Sequence, residues 1–160
     1  MNPTKNDLPS LKRVAVIKLL NEALADLIDL QLQSKQAHWN VKGPHFIGLH
    51  ELFDSVSGEV LGFIDLVAER AVALGGTAEG TVEIVGKRSK LNAYPIDITS
   101  GRDHVDALSN ALAAAGKSIR AAIDTSNEHG DADTADIFTE ISRDLDQKLW
   151  FVEAHLQGDK

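Results

Sequence analysis

At 160 residues, with 43% apolar and 25% charged side chains, the chain has the size and composition of one soluble domain with a buried core. It contains no cysteine, which excludes disulfides, thiol catalysis and thiolate metal sites together. The net charge of −8 argues against a broad surface for polyanions and suits a protein that attracts cations.

The opening stretch MNPTKNDLPSLKR lacks the apolar centre of a secretory signal, and no apolar run approaches the roughly 20 residues that cross a bilayer. The expectation is a cytoplasmic protein with a tail over residues 1–13 and one helical domain over residues 14–157. Apolar residues then recur at helical spacing in four blocks. The first holds Ile17, Leu20, Leu24 and Leu27, and Gly43-Pro44 closes it. The second holds Leu49, Phe53, Val56, Val60, Phe63, Val67, Ala71 and Leu74, and GGTAEG stops it.

About 25 residues follow before the third block, too many for a tight turn and suited to a crossover along the bundle. Within them, residues 81–86 (TVEIVG) read equally as a short strand or a helical turn. Ser100 and Asp103 resemble a capping box that opens the third helix, which carries Val105, Leu108, Leu112, Ile119 and Ile123. Asn127 to Gly130 separates it from the fourth, with Phe138, Ile141, Leu145, Leu149, Val152 and Leu156. The fold class expected is all-α, a four-helix bundle with one long crossover between helices two and three.

Three of the six histidines fall within QAHWNVKGPHFIGLHELFD, residues 36–54. On the second helix His50 and Asp54 are four apart, as are Asp65 and Glu69. Pairs at that spacing project from one face, as ligands to a shared ion must. The four positions fall within an arc of about 100°, yet Asp54 and Asp65 stand about 16 Å apart along the axis. The two pairs therefore cannot hold one ion within a single chain. Both pairs are nonetheless centred on the same point, because the midpoints of 50 and 69 and of 54 and 65 coincide at 59.5.

Two copies of this helix crossing antiparallel near Glu59 and Val60 would set each His50/Asp54 pair against an Asp65/Glu69 pair of the other copy. Such an interface is self-complementary, as in two-fold dimers generally. Ser57, Gly58 and Gly62 flank the proposed crossing and are small enough for close approach. His38, before the Gly-Pro break, folds back onto the His50/Asp54 end. The ligand set becomes His38, His50 and Asp54 from one chain with Asp65 and Glu69 from its partner, a set suited to iron(II), manganese or zinc.

QAHWNVKGPHFIGLHELFD, AERAVALGGTAEGT, LNAYPIDI and TADIFTEISRDLDQKLWFVEAHL together closely resemble the Dps family of ferritin-like proteins, from about residue 20 to residue 156. The resemblance implies a hollow dodecamer that oxidises iron(II), preferentially with hydrogen peroxide, stores the ferric product and limits oxidative damage. It implies a ferroxidase site across a two-fold interface, with His38, His50 and Asp54 given by one subunit and Asp65 and Glu69 by the other. It places Trp39 beside that site in a catalytic role, taking up an electron, and acidic residues of the fourth-helix region, Asp136 and Asp146 among them, along a three-fold pore. His45 falls outside the pattern, and His104, His129 and His155 have no partner at ligand spacing and read as structural.

Two other classes fit less well. DNA compaction of the kind that names the family resembles a polybasic tail acting on phosphates. Here the tail offers only Lys5, Lys12 and Arg13 against Asp7, so DNA binding is expected to be weak or absent. A di-iron oxygenase within one bundle resembles paired Glu-x-x-His motifs, and the chain has none. Haem-bearing ferritins need an axial thioether, and the only methionine is Met1.

Overall fold

The computed structural model describes residues 1–158. Helices α1 (Ser10–Asn40), α2 (Phe46–Ala73), α4 (Gly101–Glu128) and α5 (Ala132–Glu153) form the bundle. Short α3 (Val82–Arg88) lies in the crossover, and a 3-10 turn at Ala154–Leu156 follows α5. Short connections make α1/α2 and α4/α5 antiparallel pairs, and α1 packs across to α4. No helix among the described residues is long and apolar enough to cross a membrane.

The periodic residues meet in one core. Leu20, Leu24, Leu27 and Leu30 of α1 pack with Phe53, Val56 and Val60 of α2, Leu108 and Leu112 of α4, and Phe138, Ile141 and Leu145 of α5. Helix α2 ends in a Schellman turn. Gly75 adopts a φ of +90°, and Gly75 N–H and Gly76 N–H bond to Val72 O and Ala71 O at 2.9 Å each.

Residues 81–86 resolve as helix, since α3 covers most of them. The crossover has no sheet to satisfy its backbone, so polar side chains of α1 do so. Asn21 Nδ2 donates to Thr77 O at 3.0 Å, and its Oδ1 accepts from Glu79 N at 2.9 Å. Asp26, 2% exposed, accepts Lys90 N–H at 2.8 Å. Gln33 Nε2 donates to Asn92 O at 3.0 Å. Asp26→Ala strands that amide, and the expected cost is about 2 kcal/mol. Urea unfolding checks it: the midpoint should fall while the slope stays unchanged.

Helix α1 opens at Ser10, within the stretch read as a tail. The residues before it lie against the end of α2. Asn2 N–H bonds to Gly75 O at 2.7 Å, and the Arg13 guanidinium donates to Leu74 O and Leu8 O, both at 3.0 Å.

Candidate metal centre between helices

The last carbonyls of an α-helix lack intrahelical partners. At the end of α1, His38 O accepts from His50 Nδ1 at 2.8 Å, and in return His38 Nδ1 donates to His50 O at 2.7 Å. A carbonyl can only accept, so both Nδ1 atoms carry a proton, and in the neutral ring Nε2 is the atom left with a lone pair. Backbone bonds of this kind are how proteins fix the tautomer and ring orientation of metal-ligating histidines. The two rings stack with centroids 3.7 Å apart, and Phe46 flanks His50 at 5.0 Å.

Asp54, one turn beyond His50, accepts a hydrogen bond of 2.5 Å from Lys35 Nζ. That bond holds its carboxyl below the usual carboxylate range, with the Lys35 charge acting the same way and burial opposing it. Asp54 is thus ionised at neutral pH, and a cation that binds it displaces the ammonium. Lys35 Nζ also lies 5.9 Å from the ring of Trp39, which is itself 64% exposed. Lys35 was not visible as a site residue because it is not a ligand type. Its place one turn before His38 is the signal that finds it.

Asp65 and Glu69 lie on the same side of α2, exposed and without a protein partner among the described residues. Helical rise puts them far from Asp54, and no three ligand-type residues of the described chain gather closely enough to hold a metal. Between the two halves the helix surface is bare. Leu61 is exposed there, a Cβ added to Gly58 or Gly62 would meet no atom within 4 Å, and Ile47 and Val72 continue the exposed face beyond the two halves. Ile47 and Val72 are also centred on 59.5. Ser57 does not belong to this surface: it is buried and accepts from Gln31 Nε2 at 3.0 Å, because its position on the helix turns it toward α1.

The acidic region divides in the same way. Asp131 is buried, caps α5 through Thr134 N–H at 3.1 Å and pairs with Arg70 at 2.7 Å. Asp146 is bound by Arg120 at 2.6 Å, whereas Asp136 is exposed. His45 and His155 border a surface cavity of about 640 Å³ that contains none of the five expected ligands. His104 is buried and bonded to Tyr94.

The family model of the ferritin-like domain matches residues 17–160. The chain is 54% identical over 154 residues to the DNA protection during starvation protein of Agrobacterium fabrum, covering 96% of this chain and 95% of that protein. The Mycobacterium smegmatis Dps structure in its tetragonal form superposes with a TM-score of 0.93 at 32% identity, over 99% of this chain and 98% of that one. Dps from Microbacterium arborescens in its high iron form gives 0.87 at 33% identity, over 96% and 97%. The chain therefore belongs to the Dps proteins of the ferritin-like family.

Proposed function

We propose that the protein is a ferroxidase: it oxidises iron(II), preferentially with hydrogen peroxide, at sites shared by two subunits, and stores the ferric product inside a hollow dodecamer. The observation that carries this reading is the reciprocal His38/His50 backbone bonding, which commits both Nδ1 atoms and leaves both Nε2 atoms to serve as ligands near an ionised Asp54. Membership of the Dps proteins supports it, and so does the bare strip of α2 that separates two half-sites with a common centre.

In this reading His38, His50 and Asp54 meet Asp65 and Glu69 of the neighbouring copy. Imidazole nitrogens suit iron(II), while the three carboxylates favour the harder ferric ion and lower the cost of removing an electron. Each peroxide takes one electron from each of two iron(II) ions, its O–O bond cleaves, and two hydroxides form. Trp39 lies beside the site in the catalytic role that the family resemblance gives it. Zinc and manganese(II) share the ligand preference and compete for the positions. The protein works in the cytoplasm, where consuming iron and peroxide together limits hydroxyl-radical damage.

Peroxide added to the anaerobic protein with iron(II) tests the reading. Ferric absorbance should rise far faster with the wild type than in buffer, and fall to the buffer rate for Asp54→Ala. Equal rates for protein and buffer would sink it.

DNA compaction is the second reading, favoured by the name of the Agrobacterium fabrum relative. The tail supports it poorly. Arg13 is committed to Leu74 O and Leu8 O, and Asn2 anchors the chain start to Gly75. Lys5 and Lys12 remain exposed, Lys5 close to an equally exposed Asp7. Weak or absent DNA binding is expected at physiological salt, and a firm gel shift there would reverse the order of the two readings.

A further inference from the structure

Among the described residues one buried side-chain polar atom lacks a hydrogen-bond partner, Nε2 of His104. Buried polar atoms are nearly always satisfied, so the exception calls for an explanation. His104 lies in the first turn of α4 and is 1% exposed. Its Nδ1 is 2.7 Å from the hydroxyl of Tyr94, whose ring runs nearly parallel to the imidazole at 6.0 Å. Tyr94 comes from the crossover and is the only tyrosine of the chain.

The surroundings select the protonation state. The carbonyls of Ile98 and Asn40 border the imidazole and favour an N–H turned toward them, although none completes a well-formed bond with Nε2. That leaves the Nδ1 lone pair to accept from the phenol. Burial pushes the Tyr94 phenol above its ordinary value, and burial also pushes His104 below its own. The resting pair is therefore a neutral phenol held against a neutral base.

We propose that Tyr94 and His104 form a proton-coupled electron donor that quenches one-electron oxidants of the hydroxyl-radical class. The Tyr94 O–H bond breaks, its electron passes to the oxidant and its proton to His104 Nδ1. A hydroxyl radical thereby becomes hydroxide and leaves a tyrosyl radical beside an imidazolium. An iron(II) ion then returns the electron, becoming iron(III), while the imidazolium returns the proton to the phenol. Asn40, whose carbonyl borders His104, directly follows Trp39 and stands two residues from His38. The pair thus backs onto the end of α1 where iron oxidation is placed. Only the setting rests on the ferroxidase reading: the oxidant is the hydroxyl radical formed, with one hydroxide and one iron(III), when peroxide meets a single iron(II) instead of a pair.

The test has two arms. In the first, azide radicals made by pulse radiolysis strike the assembled protein without iron. In the second, iron(II) and peroxide are mixed and freeze-quenched for electron paramagnetic resonance. A tyrosyl signal can arise only from Tyr94, since the chain has no other tyrosine. It is expected in both arms and lost in Tyr94→Phe. His104→Gln keeps an acceptor for the phenol but removes the base, so radical formation should slow and lose its sensitivity to deuterated water.

No tyrosyl signal after radiolysis overturns the proposal. So does an unchanged rate in His104→Gln or, should that variant fail to fold, a wild-type rate insensitive to deuterated water. Fast iron oxidation without a tyrosyl signal also overturns it. A radiolytic signal without iron oxidation leaves the pair standing and removes the ferroxidase reading instead.

Discussion

Subunits carrying Asp54→Ala and subunits carrying Glu69→Ala, each inactive alone, are expected to recover iron oxidation when dissociated and reassembled together. The reason is geometric. If each site takes Asp54 from one copy and Glu69 from the other, a mixed pair concentrates both lesions in one site and leaves the second intact. Random pairing makes half of the dimers mixed, so about a quarter of the wild-type activity should return. Each variant alone should lose more than about a hundredfold, since even outer partners of a metal ligand cost 10–100-fold when removed.

The same experiment separates the intersubunit site from any arrangement inside one chain. A site built within one subunit carries its lesion wherever that subunit goes, so mixing would restore nothing. Recovery is read as initial rate of ferric absorbance, with exchange of subunits verified by mass labelling. No recovery in verified mixed assemblies would sink the two-subunit site while leaving the fold and the family untouched.

The bundle was legible because its core obeys one period: every apolar position read for the second helix, from Leu49 to Leu74, is buried. What escaped lies where that period carries no information. The first turns of α1 put Leu11 and Val14 into solvent, so apolar spacing begins only after the helix has already started. The crossover stayed undecided because its partners are side chains of Asn21, Asp26 and Gln33, more than fifty positions away.

The candidate site was readable in part for the same reason. Four-residue spacing on one helix locates His50 with Asp54 and Asp65 with Glu69 from number alone. The reciprocal bonding of His38 and His50 required the chain to turn at Gly43-Pro44, and the Lys35 ammonium required α1 to lie against α2. Tyr94 and His104, close in number, meet only because the crossover returns to the start of α4. Read singly, His104 had nothing to distinguish it from a satisfied core histidine.

Gly58→Leu is expected to leave the subunit folded, or firmer, while abolishing both assembly and iron oxidation. A glycine inside a helix costs about 1 kcal/mol relative to good helix formers, so the substitution favours α2 itself. Within the subunit an added Cβ at Gly58 meets nothing within 4 Å, which removes any internal clash. The only surface left to object is a second copy crossing near residue 59.5. Packed helices lie about 8–10 Å apart, and a leucine placed where a glycine permits close approach holds them away. A displacement of about 1 Å at a reacting centre costs on the order of a hundredfold in rate, so the half-sites would separate beyond use.

Gly58→Ala, adding one methyl group, serves as the graded control and should retain part of both properties. Sedimentation gives the assembly state, circular dichroism the subunit fold, and ferric absorbance the activity. Three readouts moving in different directions discriminate sharply. Lost helicity would point to a role for Gly58 inside the bundle that its open surroundings do not provide for. Unchanged assembly with unchanged oxidation would mean that the α2 helices do not cross there, and Asp65 and Glu69 would then have no route to His50 and Asp54.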